Sequence, residues 1–260
     1  MSTTDSIIYE EAGALARVRL NRPRKRNALT GEMLDRLAEI FEDMAKRGDV
    51  RVVILSGEGD AFCAGTDISE LESLDDEGAR RKAKRGQEVC NLIERCTVPV
   101  IAEVKGMAAG GGCELALSCH LRVAATSAGF SLPETKLGLI PAYGGTQRLA
   151  RIAGRGRALE MMLAGKIMTA EEALRAGLVN RIAAPAQLVA ETEKLAREIS
   201  SLAPLAIRAC LTAVTRGQDL PLAEGLALEA DLFSRLFYTA DAREGTRAFL
   251  EKRPPVFHGK

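Results

Sequence analysis

The chain has 260 residues, 47% of them hydrophobic and 27% charged, which is typical of a water-soluble globular protein. Its 36 basic and 35 acidic residues give a net charge of +1, which argues against nucleic acid or an acidic membrane as a partner. No run approaches the ~20 consecutive apolar residues of a membrane span. The small, polar residues 1–5 are unlike a secretory signal or a transit peptide, so we expect a cytoplasmic protein.

The cysteines and histidines show no pattern of a metal or thiol site. The six cysteines form no C-x-x-C pair, and the two histidines, His120 and His258, fit no metal-ligand spacing. We therefore expect free thiols and no bound metal. With so few histidines, a Ser-His-Asp or Cys-His mechanism has little to work with. If the chain is an enzyme, its acid–base groups are expected to be carboxylates.

The first part of the chain alternates between strand and helix patterns. Strands are predicted at 7–10, 15–20, 52–55, 98–104 and 121–125. The segment 52–55 is continuously apolar, which is typical of a strand buried on both faces. Thr30 can cap a helix whose apolar face includes Leu34, Met44 and Ala45.

From about residue 142 onward the pattern is helical. A capping box at 169–172 predicts the start of one helix. Apolar residues recur at helical spacing in 188–202 and again in 222–237. Strand–helix alternation followed by helices alone predicts an α/β core, placed at 1–200, and a helical C-terminal portion at 201–260.

A run of three glycines, Gly110 to Gly112, stands just before Glu114. It lacks both the G-x-G-x-x-G spacing of a dinucleotide site and the Lys-Ser/Thr ending of a phosphate-binding loop. Two interpretations remain. The glycines expose backbone N–H donors at a helix N-terminus, where they can stabilise an oxyanion, or they only allow a tight turn and close packing.

Two other segments have residues suited to catalysis. The small residues of 61–67 follow a predicted strand and can also offer a backbone N–H. Glu134 lies among apolar neighbours at 130–138. Such a carboxylate is either solvated on a loop or desolvated with a raised pKa, and a raised pKa suits proton transfer near neutrality.

Together these segments resemble the crotonase family, also called enoyl-CoA hydratases/isomerases. The matching motifs are A-F-x-A-G-x-D-I at 61–68, P-V-I-A at 99–102, G-x-x-x-G-G-G-C-E-L-A at 106–116, P-E-x-x-L-G at 133–138 and G-G-T-Q-R-L at 144–149. Further matches at 22–29, 176–179 and 244–253 extend the resemblance over essentially the whole chain. It implies an α/β fold with a crotonase-type ββα spiral core and a helical C-terminal trimerisation portion.

The resemblance also implies a site. The backbone N–H groups of Thr66 and Gly111 would form an oxyanion hole for the thioester carbonyl of an acyl-CoA. Glu114 and Glu134 would be the two catalytic acids, and hydratases carry both, whereas many other family members keep one or neither. The implied reaction is reversible hydration of a 2-enoyl-CoA. We assign Glu134 as proton donor to the α-carbon and Glu114 as the main water-orienting base, with both able to share both duties.

Further implied contacts concern CoA, the acyl group and other subunits. The residues expected to contact CoA are Arg24, Arg26, Ala28, Ala64, Asp67 and Ile68, together with Phe249 and Lys252 from a neighbouring subunit. Tyr143 is expected to shape the acyl pocket, and the charged segment 69–85 to lie on the surface and roof that pocket. A homotrimer or a dimer of trimers is implied. No cofactor is expected, because CoA is part of the substrate.

The chain departs from the family pattern at three places. Thr66 replaces a more frequent alanine, Ser69 and Glu70 stand where some members have a CoA-contacting lysine, and His120 stands where an acid is common. Within the family, the alternatives are an enoyl-CoA isomerase or a hydratase of a cyclic or branched enoyl-CoA. Outside enzymes, the alternatives are an RNA-binding or a scaffolding relative, against which the near-zero net charge and the two retained acids argue.

Overall fold

Two sheets organise the first three quarters of the chain. The structure is a computed structural model that describes residues 5–44 and 46–260; Ala45, predicted on the apolar face of the first helix, lies outside them. The strands described are β1 (Ile7–Ala12), β2 (Leu15–Leu20), β3 (Val52–Gly57), β4 (Val100–Val104), β5 (Met107–Ala109), β6 (Leu121–Ala125), β7 (Gly129–Ser131), β8 (Met168–Thr169) and β9 (Arg181–Ala183). The larger sheet has the order β1-β2-β3-β4-β6-β9 and the smaller one the order β5-β7-β8.

Helices follow most of these strands. Those described are α1 (Gly31–Met44), α2 (Asp76–Glu94), α3 (Gly111–Ser118), α4 (Gly145–Ala153), α5 (Arg155–Leu163), α6 (Ala170–Arg175), α7 (Leu188–Ser200), α8 (Pro204–Gly217), α9 (Leu222–Leu236) and α10 (Ala240–Glu251). Both predicted caps are confirmed. The Met33 N–H donates to Thr30 Oγ1 at 3.3 Å, and Thr169 with Glu172 forms a reciprocal capping box.

Several details differ from the prediction, beginning with strands β1 and β3, which extend to Ala12 and Gly57. The strand expected at 98–104 begins at Val100, because Pro99 has no N–H to donate to a ladder. The charged segment 69–85 is partly helical, since α2 begins at Asp76. Leu202, predicted on the apolar face at 188–202, lies beyond the end of α7 and is 50% exposed.

Strand β3 separates two apolar cores. Its residues Val53 and Leu55 lie in the core shared with α1 and α2, whereas Val52 and Ile54 lie in the core shared with α7. Side chains of a strand alternate between its two faces, so a continuously apolar strand can fill both cores. The prediction that this strand is buried on both faces is confirmed.

The last three helices expose a large apolar surface. The exposed side chains on or next to α9 include Leu222, Leu226, Phe233 and Phe237, at 54–79% exposure. Patches of this kind mark interaction surfaces. Within the described residues no single helix is long and apolar enough to cross a membrane, although the helix pair 185–200 and 204–217, bent by 105°, meets the length and composition test jointly.

Candidate active site

The glycine run forms a sharp turn between β5 and α3. Gly110 has φ 49° and ψ −130°, a conformation that side chains disfavour, and its N–H donates to Ser131 O at 3.0 Å. Gly111 is the first residue of α3. The first N–H groups of a helix have no partner inside it, so the turn presents donors toward the space in front of α3.

A second loop brings Thr66 beside this helix N-terminus. The Leu29 N–H donates to Gly65 O and the Asp67 N–H to Leu29 O, both at 2.8 Å. The N–H of Thr66 donates to no protein acceptor within residues 5–44 and 46–260. A Cβ placed on Gly65 would lie 3.0 Å from Ala109 O and 3.5 Å from Gly111 N. The two loops therefore touch where glycine stands, and two backbone donors lie side by side.

Glu114 lies one helical turn after Gly110 and is held by backbone donors. Its side chain is 2% exposed, and its Oε1 accepts hydrogen bonds from the N–H groups of Tyr143 at 2.8 Å and Gly145 at 2.6 Å. Burial raises the pKa of Glu114 to about 7, although the two N–H donors oppose that shift. This carboxyl is fixed in direction and titrates near neutrality.

Glu134 opens a 3₁₀ turn, Glu134–Leu137, and approaches the same place from another side. A Cβ on Gly110 would lie 3.1 Å from its Oε1. Its Oε2 is buried and has no hydrogen-bond partner among the described residues. Burial raises the pKa of this carboxyl as well. The carboxyl therefore has one oxygen available for a substrate.

One cavity of about 400 Å³ contains all four predicted groups. Both donor loops and both glutamates line it. Its roof comes from 71–83, so the expectation that the charged segment covers the pocket is confirmed. The large hydrophobic side chains that line the cavity and are exposed are Ile68, Leu74, Leu137, Leu139 and Ile140.

Tyr143, which was expected to shape the acyl pocket, also lines this cavity. It is 3% exposed, and its hydroxyl accepts a hydrogen bond from Thr66 Oγ1 at 3.0 Å. A second contact of Tyr143 was not predicted: its backbone N–H orients Glu114, which lies 29 residues away in the chain. The corresponding contact of Gly145 was not predicted either, although it lies in a motif that the resemblance uses.

This geometry agrees with the comparison to known proteins. The sequence matches the family described as Enoyl-CoA hydratase/isomerase over residues 10–260. The chain belongs to this family. It is 40% identical over 257 residues to the crotonyl-CoA hydratase of Syntrophomonas wolfei, covering 98% of this chain and 99% of that one. It is 38% identical over 250 residues to the short-chain-enoyl-CoA hydratase of Clostridium acetobutylicum, covering 96% of each.

Solved structures give the same result for the fold. A crystal structure of an enoyl-CoA hydratase from Bacillus anthracis superimposes with a TM-score of 0.95 at 36% sequence identity, covering 98% of this chain and 100% of that one. The predicted crotonase-type fold with a helical C-terminal portion is therefore confirmed. The division at residue 200 stays a prediction.

Of the residues expected to contact CoA, some are exposed near the cavity, whereas Asp67 is bonded to other residues of the chain. Arg24 and Arg26 are exposed, and Arg26 O accepts from the N–H of Ala64 at the cavity rim. Asp67 instead binds within the chain, to Arg22 at 3.0 Å and to Ser69 Oγ at 2.8 Å. Arg22 thus supports the loop that carries Thr66.

Other predicted residues lie in or away from the cavity. Ile68 lies at its rim, and Ala28 is half-buried beside the Arg24–Arg26 turn. Phe249 and Lys252, near the end of α10, do not line this cavity, and Phe249 is 83% exposed.

His120 and the cysteines have structural surroundings. His120 accepts from the Val100 N–H at 2.9 Å and its other ring nitrogen lies 3.1 Å from Glu94 O, so its ring joins β4 to the end of α2. The cysteines of the described residues are free thiols, and all but Cys210 are buried. Within residues 5–44 and 46–260, no group of three or more His, Cys, Asp or Glu is placed to hold a metal ion.

Proposed function

We propose that this protein is an enoyl-CoA hydratase, which adds water reversibly across the double bond of a 2-enoyl-CoA to give a 3-hydroxyacyl-CoA. The observation that carries the proposal is one cavity in which two carboxyls with raised pKa values lie beside two backbone N–H donors. The hydratases at 38–40% identity over nearly the whole chain support it.

The two donors bind the thioester oxygen. When the hydroxyl of a water adds to the β-carbon, negative charge develops on the thioester oxygen of an enolate-like intermediate. The N–H groups of Thr66 and Gly111 line the same cavity on two fixed loops, which supports their assignment as preorganised donors to that oxygen. Donors of this kind lower the barrier by roughly 3–4 kcal/mol each.

The two carboxyls activate the water and donate the proton to the α-carbon. Oε1 of Glu114 is held by two N–H groups, which leaves the other oxygen to orient a water and accept its proton. The hydroxyl then bonds to the β-carbon, and the π electrons move onto the thioester. Glu134 gives its proton to the α-carbon. The net addition is one water, and a proton passing from Glu114 back to Glu134 restores both groups.

A direct assay tests the function. Purified protein is mixed with crotonyl-CoA, and the loss of absorbance of the conjugated thioester is followed alongside Glu114→Gln and Glu134→Gln. We expect rapid loss with the wild-type protein only. Wild-type activity no greater than that of either variant would contradict the proposal. Branched and cyclic enoyl-CoAs in the same assay test the alternatives within the family.

The division of labour has its own test. A saturated acyl-CoA such as butyryl-CoA exchanges its α-proton in D2O without any water addition. If Glu134 serves the α-carbon, Glu134→Gln loses this exchange while Glu114→Gln retains a measurable part of it. Equal loss in both variants would mean that the carboxyls share the α-carbon step.

For CoA we propose contacts from the Arg24–Arg26 turn, Ala28, Ala64, Asp67 and Ile68. The exposure of the two arginines beside the cavity rim supports this. Arg24→Ala and Arg26→Ala should raise KM for crotonyl-CoA without changing KM for crotonyl-pantetheine, which lacks the nucleotide phosphates. An equal effect on both substrates would show that these arginines do not act through the nucleotide phosphates of CoA.

We further propose a homotrimer or a dimer of trimers in which Phe249 and Lys252 complete the CoA site of a neighbouring subunit. The exposed apolar face of α9 and the 83% exposure of Phe249 support it. Light scattering after gel filtration gives the mass directly. A monomer at micromolar concentration would contradict this proposal.

The metabolic setting is proposed as fatty-acid β-oxidation or a related acyl-CoA degradation in the cytoplasm. The buried free thiols are compatible with a reducing compartment. Cell fractionation with an antibody to the protein tests the location.

A further inference from the structure

The active-site cavity has an exposed mouth and a buried inner end. Ile68, Leu137 and Ile140, at 56–70% exposure, mark the mouth. The lining residues Gly111 and Tyr143 are buried. With CoA at the exposed Arg24–Arg26 turn beside the rim, as proposed above, the acyl group enters the cavity from the mouth. An acyl chain held by its thioester at Gly111 therefore extends inward and meets the Tyr143 ring.

Glycines on both sides of the Tyr143 ring leave the space that it fills. A Cβ on Gly86 in α2 would lie 2.0 Å from Cδ1 of the ring, and one on Gly111 would lie 2.9 Å from Cε2. Glycine inside a helix costs stability relative to alanine, so its presence in the middle of α2 fits a need for space. The ring thus fills the gap between the roof helix and the oxyanion glycine.

A hydrogen bond fixes the far end of the ring. Thr66 Oγ1 donates to the Tyr143 hydroxyl at 3.0 Å. Alanine, the more frequent residue here in the family that the sequence resembles, could not make this bond. Because Thr66 also carries one oxyanion donor, the ring is attached to the part of the site that positions the thioester.

We infer that Tyr143, anchored by Thr66 and seated against Gly86, closes the inner end of the acyl pocket and restricts the substrate to short-chain enoyl-CoA. Long chains would have to displace a ring that a hydrogen bond and two close glycine contacts hold. This inference rests on the proposed hydratase function and identifies a specificity-determining pair within that site.

The test compares kcat/KM for crotonyl-CoA and 2-decenoyl-CoA in the wild type, Tyr143→Ala and Tyr143→Phe. The wild type should prefer crotonyl-CoA by tenfold or more, since a single methylene in a filled pocket is worth roughly 10–200-fold. Tyr143→Ala should raise the decenoyl-to-crotonyl ratio by about tenfold or more. Tyr143→Phe keeps the wall and should move the ratio much less. All variants keep the backbone N–H that binds Glu114.

Tyr9→Phe is the matched control, because it also removes a hydrogen-bonded phenol but lies on β1, away from the cavity lining. Its substrate ratio should equal that of the wild type. If Tyr143→Ala fails to fold, Tyr143→Leu retains an apolar side chain and removes the outer ring atoms, with the same expected direction.

Melting temperatures test independently whether the Tyr143 ring packs against Gly86. Gly86→Ala should destabilise the wild type, because its Cβ meets the ring, and should be tolerated in the Tyr143→Ala background. Equal destabilisation in both backgrounds would overturn the seating. A wild type that hydrates decenoyl-CoA as well as crotonyl-CoA, or a Tyr143→Ala variant with an unchanged ratio, would overturn the inference. A wild type inactive on crotonyl-CoA would instead overturn the proposed function.

Discussion

The two glutamates of the cavity differ in how the chain holds them. Glu114 lies within α3, is 2% exposed and binds two backbone N–H groups through one oxygen. Glu134 lies on a 3₁₀ turn, is half-buried and keeps a buried oxygen without a partner among the described residues. A carboxyl oriented by backbone suits the placing of water, whereas a carboxyl with a free oxygen suits proton delivery to carbon.

The largest expected effect comes from replacing either carboxyl by its amide. Glu114→Gln and Glu134→Gln should each lower kcat for crotonyl-CoA hydration by about 10²–10⁴-fold with a small change in KM. In Glu114→Gln the amide oxygen can still accept from Tyr143 and Gly145, so the loss reports chemistry and not orientation. The double variant should be little worse than the single ones, because groups acting in one step are not additive. Steady-state kinetics measure all of these, and additive losses would separate the two functions.

The second effect is on the pH dependence of stability, to which Glu114, the more buried carboxyl, should contribute more than Glu134. The pKa of Glu114 rises from 4.5 to about 7 on folding, so between these pH values the folded protein keeps a proton that the unfolded chain releases. Stability is therefore lost as pH rises from 4.5 to 7, by up to about 3 kcal/mol. Glu114→Gln should remove this loss and be the more stable protein above pH 7. Glu134→Gln should show the same direction with a smaller size.

Urea unfolding at pH 5 and pH 8, at one fixed protein concentration, measures this difference. A fixed concentration is needed because assembly would shift the apparent stability. A Glu114→Gln variant that is no more stable than the wild type at pH 8 would mean that the buried carboxylate is already fully compensated by its two N–H donors.

The local part of this arrangement could be predicted from the sequence. The apolar run at 52–55, the helix cap at Thr30 and the capping box at 169–172 are short-range patterns, and the structure confirms them. The three-residue strands β5 and β7 were missed because they are too short to show a period.

The long-range part of the site could not be derived from local pattern. The glycine run was compatible with an oxyanion donor or with tight packing, and the structure has glycines in positions suited to each. Gly111 presents a donor, whereas a Cβ on Gly112 would lie 2.4 Å from Cys63 O. The contacts that orient Glu114 and seat Tyr143 join segments separated by tens of residues. Only the family resemblance indicated that those segments meet.

The third effect comes from replacing either of two glycines, each of which lies next to one of the carboxyls. A Cβ on Gly145 would lie 2.9 Å from Oε1 of Glu114, and a Cβ on Gly110 would lie 3.1 Å from Oε1 of Glu134. Gly145→Ala should displace Glu114 and lower kcat about tenfold, since small misplacement of a catalytic group is costly. Gly110→Ala should displace Glu134 and also destabilise the fold by about 1–3 kcal/mol, because φ 49° with ψ −130° is strained for alanine.

Kinetics and urea unfolding together separate these two variants. Butyryl-CoA α-proton exchange should fall more in Gly110→Ala than in Gly145→Ala, because only the first presses on Glu134. The opposite order would exchange the functions assigned to the two carboxyls.

The smallest effect is the influence of one carboxyl on the other. A negative charge on Glu134 raises the pKa of Glu114, although less than burial does. Glu134→Gln removes that charge, so the pKa of Glu114 should fall, while burial keeps it above its ordinary value. Carbon NMR of the glutamate carboxyl signals across pH 4–9 follows the change, with Glu114→Gln used to assign the signal. An unchanged Glu114 titration in Glu134→Gln would show that the two groups titrate independently, and the proton return between them would then have to pass through solvent.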